Sequence, residues 1–572
     1  MSKIFRRGIA LAGAAALLAQ TLSGCAGKAQ ATAESTVDLA NADPFGKYQE
    51  QVTYTMGRPI AQNSKMPEGD TYEDNAYTRL VEEQLNAVCV DEFEANGDAY
   101  ERQVSLSIAA GDIPDFMRVT SKDILDELVE NDLVEDMTDI YNAYASDKLK
   151  ALYDSYDGRC LATATYDGRL MAMPGACGDG APCITWVRED WLDALNLGID
   201  PEGDGRITLD ELEKMAVTFK AADPDKTGNP VGLALNYALN ANDYSNSTYC
   251  MTGIAGALHA FPQLWLDDGA GEVTYGSLQP QTKEALGVLH DWFEAGILDP
   301  QFGTRTWDDI TALLTNGQTG ITFGVWHIPD WLLNSVRATN PKARFKAFVI
   351  EDEAGKVNVY HNNASNGYMV IRKGYAHPEL AIKIMNLFFD KLGGNQDFIN
   401  QFPEVKEYVN LGVDNSTRPF NIEVSDYHSL LDDYSDVCKG VAGTIKPEEV
   451  KTVETLSVID SVKKYLADPE NAEVVDWSKY HSRMVGIELI RQITEEDAFA
   501  WVSPVYWGTT QTMESKWANL QKLEEETFIK MVTGDLPMTA FEDFVAKWNA
   551  QGGTEILAEI AATLQDGEET TK

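Results

Sequence analysis

The chain has 572 residues, of which 90 are acidic and 46 basic, for a formal net charge of −44. A field of that sign repels nucleic acid and anionic lipid surfaces, so neither is an expected partner. The length exceeds one ordinary domain, and the 44 % apolar content suits a packed body of two large lobes.

Lys3, Arg6 and Arg7 open the chain, and a small-residue apolar stretch runs from Gly8 to Leu22. That stretch is shorter than the ~20 apolar residues a membrane-crossing helix needs, so it reads as a cleaved secretory signal. It ends in Leu22-Ser23-Gly24-Cys25, which resembles the bacterial lipobox. The resemblance implies cleavage after residue 24, a lipid on Cys25 and an extracytoplasmic protein anchored to the cell membrane. An ordinary secretory signal that carries a cysteine is the plainer alternative. Residues 25–45 are small and polar and read as a flexible tether. Loss of three basic residues with the signal makes the mature chain still more acidic. That weighs against a polyanionic ligand unless Arg or Ca²⁺ inverts the field locally; a neutral one fits better.

Val52, Tyr54 and Met56 alternate with polar residues, predicting a strand. A helix with Tyr77, Leu80, Val81 and Leu85 on one face follows. Then come a short strand at 88–90, a helix around 104–110 and a strand at 116–119. Such alternation argues an α/β lobe with a mainly parallel sheet, whose ligands bind beyond the carboxyl ends of the strands. Later segments are more helical: Leu212, Met215, Ala216 and Phe219 share a face, as do Leu380, Ile384, Leu387 and Phe388, and Met513, Trp517, Leu520 and Leu523. Core packing accounts for each of these stripes.

Residues 200–211 (DPEGDGRITLDE) follow the twelve-residue EF-hand pattern. Asp200, Glu202 and Asp204 supply oxygens at positions 1, 3 and 5, and Gly205 occupies the sharp turn. Arg206 would give its backbone carbonyl, Thr208 a direct or water-bridged oxygen and Glu211 the bidentate carboxylate of a structural Ca²⁺ site. Glu at position 3 departs from the usual Asp or Asn. The plainer alternative is an acidic loop that caps the next helix. Asp223 to Asn229 places oxygens at alternate positions but lacks the terminal acid and reads as a turn. Besides Cys25 the cysteines are Cys89, Cys160, Cys177, Cys183, Cys250 and Cys438, with no CxxC pair. A Cys177–Cys183 loop and buried free thiols are both compatible with that spacing.

Several motifs in order resemble the family 1 extracellular solute-binding proteins, especially the large, alginate-binding-like lipoprotein branch found beside sugar importers. They are AAGDIPD at 109–115, YDGRLMAMP at 166–174, VREDWL at 187–192, GITFGVWHI at 320–328 and HPE at 377–379. EEETFIKMVTG at 524–534 and WNAQGGTE at 548–555 complete the set. The resemblance implies a two-lobed periplasmic-binding-protein-like α/β fold with a helix-rich second lobe and a hinge between lobes. Lobe 1 would comprise 46–178 plus 345–395, and lobe 2 would comprise 179–344 plus 396–572. It also implies a monomeric carrier that hands a carbohydrate, most readily an oligosaccharide, to the transmembrane subunits of an ABC permease.

Sugar binding calls for aromatic platforms and hydrogen-bonding side chains. Trp326 matches the stacking aromatic of the related strand, and Tyr506 and Trp507 fall near the last crossover. Asp115, Arg188, Tyr237, Asn363 and Asn366 are the polar candidates. An enzyme would need an isolated catalytic constellation, and there is no GxSxG, HExxH or phosphate loop; only 7 histidines are present. No catalytic residue is expected. A ligand-sensing lipoprotein that reports to a membrane signalling partner would use the same fold.

Overall fold

The strand read from Val52, Tyr54 and Met56 forms as β1 (Val52–Pro59), and the expected helix follows as α1 (Ala76–Leu85) with Tyr77, Leu80, Val81 and Leu85 all buried. Asn75 fixes where α1 begins, because its side chain accepts from the Tyr77 and Thr78 N–H groups while Thr78 bonds back. Asn86 ends the helix in the left-handed region. The alternation continues through β2 (Ala87–Ala95), α2 (Gly97–Ala110), β3 (Phe116–Val119) and α3 (Lys122–Glu130). Asp167 and Gly168, both at positive φ, turn the hairpin that pairs Thr165–Tyr166 with Arg169–Leu170.

The computed structural model of the chain describes residues 37–569 apart from 62–63, 177, 179–181, 237–247, 394 and 451–452. The leader, Cys25, Cys177 and Tyr237 therefore lie outside the described residues. Beyond the hairpin come β4 (Met173–Pro174), β5 (Ile184–Arg188), β6 (Arg206–Ile207), α4 (Leu209–Ala222), β7 (Ile321–Gly324), β8 (Phe345–Ile350), β9 (Val357–Tyr360) and β10 (Tyr368–Ile371). α5 (Glu379–Met385), β11 (Phe499–Val502) and α6 (Gln511–Val532) follow, with further helices between them. No helix among the described residues is long and apolar enough to cross a membrane.

The first sheet has the order β2-β1-β3-β10-β4, with β1 parallel to β2 and β3, and β10 antiparallel to β3 and β4. The second has the order β7-β5-β8-β6; there β5 is antiparallel to both neighbours and only β6 runs parallel to β8. This second sheet is buried on both faces, and β8, apolar at every position but Lys346, sends side chains into a core on each side. Phe345, Ala347 and Val349 enter one core with Trp477, while Phe348 and Ile350 enter the other with Leu212 and Phe219.

Two boundaries differ from the sequence reading. Residues 345–350, expected in the first lobe, are a central strand of the second sheet, so the return to the first lobe comes after β9. Residues 396–424, expected in the second lobe, supply Ile399, Val405, Tyr408, Phe420 and Val424 to the core under the first sheet. An apolar stripe specifies that a helix packs; it does not specify on which core.

Candidate functional site

Three chain crossings lie side by side between the sheets. The Gly175 N–H donates to the Gly367 carbonyl at 2.7 Å, Ala176 N–H to the Glu423 carbonyl at 2.7 Å, and Ser425 N–H returns to Ala176 at 3.3 Å. Gly175 is required by this contact: a Cβ there would stand 1.9 Å from Asn366 Oδ1. Asn366 Oδ1 is buried and has no hydrogen-bond partner, while its backbone carbonyl accepts from Arg118 Nη2 at 3.0 Å. Asn363 Oδ1 accepts from Ser365 N–H at 3.0 Å and shapes the same turn.

Just ahead of this crossing, β9 pairs in parallel with β11, and His361 N–H donates to Val502. The His361 ring stacks on Trp501 with centroids 4.5 Å apart and planes 8° off parallel. Trp501 remains 41 % exposed, with Phe499 also tilted against the ring at 5.7 Å. Sequence reasoning passed over this pair. The run Ala498 to Val502 is apolar throughout and carries no alternation that would single out Trp501.

The loop after β11 is tied to the second lobe by Val505 N–H on the Trp265 carbonyl at 2.8 Å. It then reaches α3, where Asp123 Oδ1 accepts from Thr509 N–H at 2.7 Å. Tyr506 is half-buried in this loop and Trp507 is 42 % exposed. Burial, with Asp123 and Asp126 nearby, pushes the Tyr506 hydroxyl well above its usual pKa, so it stays protonated and able to donate.

Trp326 follows β7 and is half-buried, with the Arg483 guanidinium 5.0 Å from its ring centroid. Asp330 holds that guanidinium in place and also accepts from Lys479 Nζ at 3.1 Å and Ser482 Oγ at 3.1 Å. A covered ring with a fixed cation on it is a rigid platform, as a stacking subsite requires.

A model of the bacterial extracellular solute-binding protein family matches residues 73–391. The chain belongs to that family. It is a family of binding proteins, in keeping with the expectation that this one is not an enzyme. The solute-binding protein is 22 % identical over 472 residues to the polygalacturonan/rhamnogalacturonan-binding protein YtcQ of Bacillus subtilis, covering 80 % of this chain and 82 % of that one. In fold it is similar to an extracellular solute-binding protein from Bifidobacterium longum subsp. infantis (TM-score 0.58, 14 % identity, 91 % and 99 % of the two chains). It is also similar to an EF-hand mutant of the Streptococcus pneumoniae ABC-transporter substrate-binding protein FusA in complex with fructo-nystose (TM-score 0.52, 16 % identity, 91 % and 100 %). The two-lobed α/β fold with helix-rich second lobe expected from sequence is the fold of this solute-binding protein.

Other predicted residues of the solute-binding protein are engaged inside one lobe. Asp115 is buried, accepts from Thr55 N–H at 2.9 Å and is paired with Arg372, so it pins the end of β3 and offers no free oxygen to a ligand. Arg188 is 1 % exposed; it bridges Asp190 at 2.7 Å and Asp225 at 3.0 Å, and lies over the Trp191 ring. Its charge is spent on the second lobe's own structure.

The 200–211 loop has the turn of a cation-binding loop. Asp200 Oδ1 accepts from Gly203 and Asp204 N–H, Oδ2 accepts from Gly205 N–H, and Gly205 sits at φ 74°. Its carboxylates are nevertheless turned to protein partners. Lys346 Nζ is 2.9 Å from Asp200 Oδ2, Arg206 Nη2 is 2.6 Å from Asp204, and Glu211 caps α4 through the Thr208 N–H at 3.1 Å. Glu202 is exposed. Among the described residues no group of three His, Cys, Asp or Glu side chains converges to hold a metal ion. The backbone fits a cation; the side chains as they stand do not converge on one.

Proposed function

We propose that this solute-binding protein is a lipid-anchored carrier, held outside the cytoplasm through Cys25, that closes its two lobes on an oligosaccharide and delivers it to the permease of an ABC importer. The observation that carries the reading is the Trp501 ring. It is stacked on His361 yet largely exposed, on the strand pair that leads into the second crossing. A flat apolar face with polar neighbours suits the C–H face of a sugar and suits a peptide or an ion less well. The names of YtcQ and FusA, which bind polygalacturonan/rhamnogalacturonan and fructo-nystose, support a carbohydrate. Trp326, Tyr506 and Trp507 would add further faces, and Asn363 and Asn366 polar contacts at the crossing.

We also propose that Ca²⁺ binds at 200–211 as a structural clamp, through Asp200, Glu202, Asp204, the Arg206 carbonyl, Thr208 and Glu211. For that, Lys346 must leave Asp200 and Glu211 must leave the α4 cap.

The test is a thermal-shift series on residues 26–572 with neutral oligosaccharides, uronate oligosaccharides and peptides. A ligand that binds only the folded state stabilises it by about 2.7 kcal/mol at a hundredfold excess over Kd. A shift with one glycan series, lost in Trp501→Ala and Trp326→Ala, is the expected result. A shift with peptides and none with sugars overturns the carbohydrate reading.

A further inference from the structure

Trp331 is 41 % exposed, an uncommon position for a side chain of that size. It does not stand alone. Its ring lies 6.1 Å from Trp307 with planes 16° apart, and 6.4 Å from His327. His327 in turn meets Trp326 edge-on at 5.0 Å. Trp307, Trp331, His327 and Trp326 thus form an unbroken run of rings, each partly open to solvent. Core packing accounts for Trp307, which rests on the buried Tyr249 at 4.7 Å. It does not account for the open face of Trp331, whose cost in exposed apolar surface is unrelieved in the protein alone.

The polar atoms along this run are arranged as well. Trp331 Nε1–H donates to His327 Nδ1 at 3.0 Å. An accepting Nδ1 must carry a lone pair, so the imidazole is neutral with its proton on Nε2. Burial, then Arg483 and Lys479, outweigh Asp330 and hold His327 below its usual pKa, which maintains that form. In that form Nε2–H is a donor beside two aromatic faces. Asp330, which follows His327 by three residues, is already paired with Arg483 and Lys479 and so offers the strip no free carboxylate.

We propose that Trp331 and His327 form a distal sugar subsite. The open Trp331 face stacks a neutral sugar ring, and His327 Nε2–H donates to one of its hydroxyls, extending a ligand whose first ring lies on Trp326. The inference rests on the carbohydrate reading above and deepens it: the ligand spans several sugar units, and affinity grows with length until Trp331 is covered.

Calorimetric affinities for fructo-, xylo-, manno- and galacto-oligosaccharides of two to six units test it. In whichever series binds, Trp331→Ala is expected to weaken the longest members by about tenfold and the shortest by less than about twofold. Trp331→Phe should recover most of the loss, His327→Phe should show an intermediate one, and Trp326→Ala should weaken every length. An unchanged length dependence in Trp331→Ala overturns the subsite, as does an equal loss at all lengths, which marks a purely structural role; both leave the carbohydrate reading standing. Binding of the wild type to uronate oligosaccharides alone overturns the neutral subsite and leaves the carbohydrate reading standing; binding to neither these sugars nor uronate oligosaccharides overturns both.

Discussion

Asp123 Oδ1 accepts a hydrogen bond from the Thr509 backbone N–H at 2.7 Å, across the gap between α3 of the first lobe and the loop that bears Tyr506 and Trp507. The bond joins elements that otherwise belong to separate cores. Its acceptor is a carboxylate in the first turn of α3, where the helix dipole favours an acidic side chain. Removing it favours separation of the lobes by about 1 kcal/mol, or about fivefold in the ratio of open to closed forms. Asp123→Ala is therefore expected to show a larger radius of gyration in small-angle scattering and a several-fold weaker ligand affinity. Asp123→Asn, which keeps an acceptor oxygen, should resemble the wild type. Equal behaviour of the two variants would mean that this contact does not govern closure.

Lys346 occupies Asp200, the residue that organises the 200–211 turn. An ammonium at 2.9 Å competes directly with a divalent cation for the same carboxylate. Lys346→Met should tighten Ca²⁺ binding by about tenfold and raise the thermal gain on adding Ca²⁺. Glu211→Gln should abolish that gain. Terbium luminescence and EDTA-reversible thermal shifts report both, and a Lys346→Met protein no more responsive than wild type would show that the loop is only a helix cap.

Glu524 lies fully buried on α6, accepting from Ser277 Oγ at 2.9 Å through one oxygen while the other has no partner. Burial raises its pKa from 4.5 to about 7. Below pH 4.5 it is protonated in folded and unfolded chains alike. Between 4.5 and about 7 only the folded chain keeps the proton, so stability falls as pH rises, by about 3 kcal/mol in all. Glu524→Gln keeps the shape and the Ser277 bond without the charge. It should be more stable than wild type at pH 8 by about 2 kcal/mol in urea melts and lack this part of the pH slope.

Much of the first lobe was legible because it rests on local periodicity: α1 and β1 bury the faces that their spacing predicts, and the 165–170 hairpin forms where Asp-Gly demands a turn. What was not legible depends on distant partners. Nothing near Asp115 reveals that Arg372 neutralises it from 257 positions away, and nothing near Arg188 reveals Asp225. The calcium-loop spacing is visible in twelve residues, whereas the lysine that competes for it comes from β8, 146 positions on. Trp501 escaped for a related reason: a four-residue strand carries too little pattern to show which of its faces is open.

His481 supplies the counterpart to Glu524. Its ring is buried against Trp477, with centroids 4.1 Å apart, and Nδ1–H donates to the Trp477 carbonyl at 2.8 Å. Burial, reinforced by Arg337 and Arg344, lowers its pKa from 6.5 to about 4. As pH falls through that window the unfolded chain takes up a proton that the folded chain refuses, so stability falls by about 3 kcal/mol toward acid. This slope is opposite in sign to that of Glu524 over pH 4.5–6.5, and in the wild type the two contributions largely cancel there. The cancellation makes the wild-type profile uninformative and the variants decisive. His481→Phe, which keeps the stack on Trp477, should expose the fall of stability with rising pH due to Glu524, while Glu524→Gln should expose the fall toward acid due to His481. The double variant should remove both contributions, because the two residues lie in separate parts of the structure and their effects should add. A wild-type slope that survives in the double variant would assign the pH response over this range to other groups.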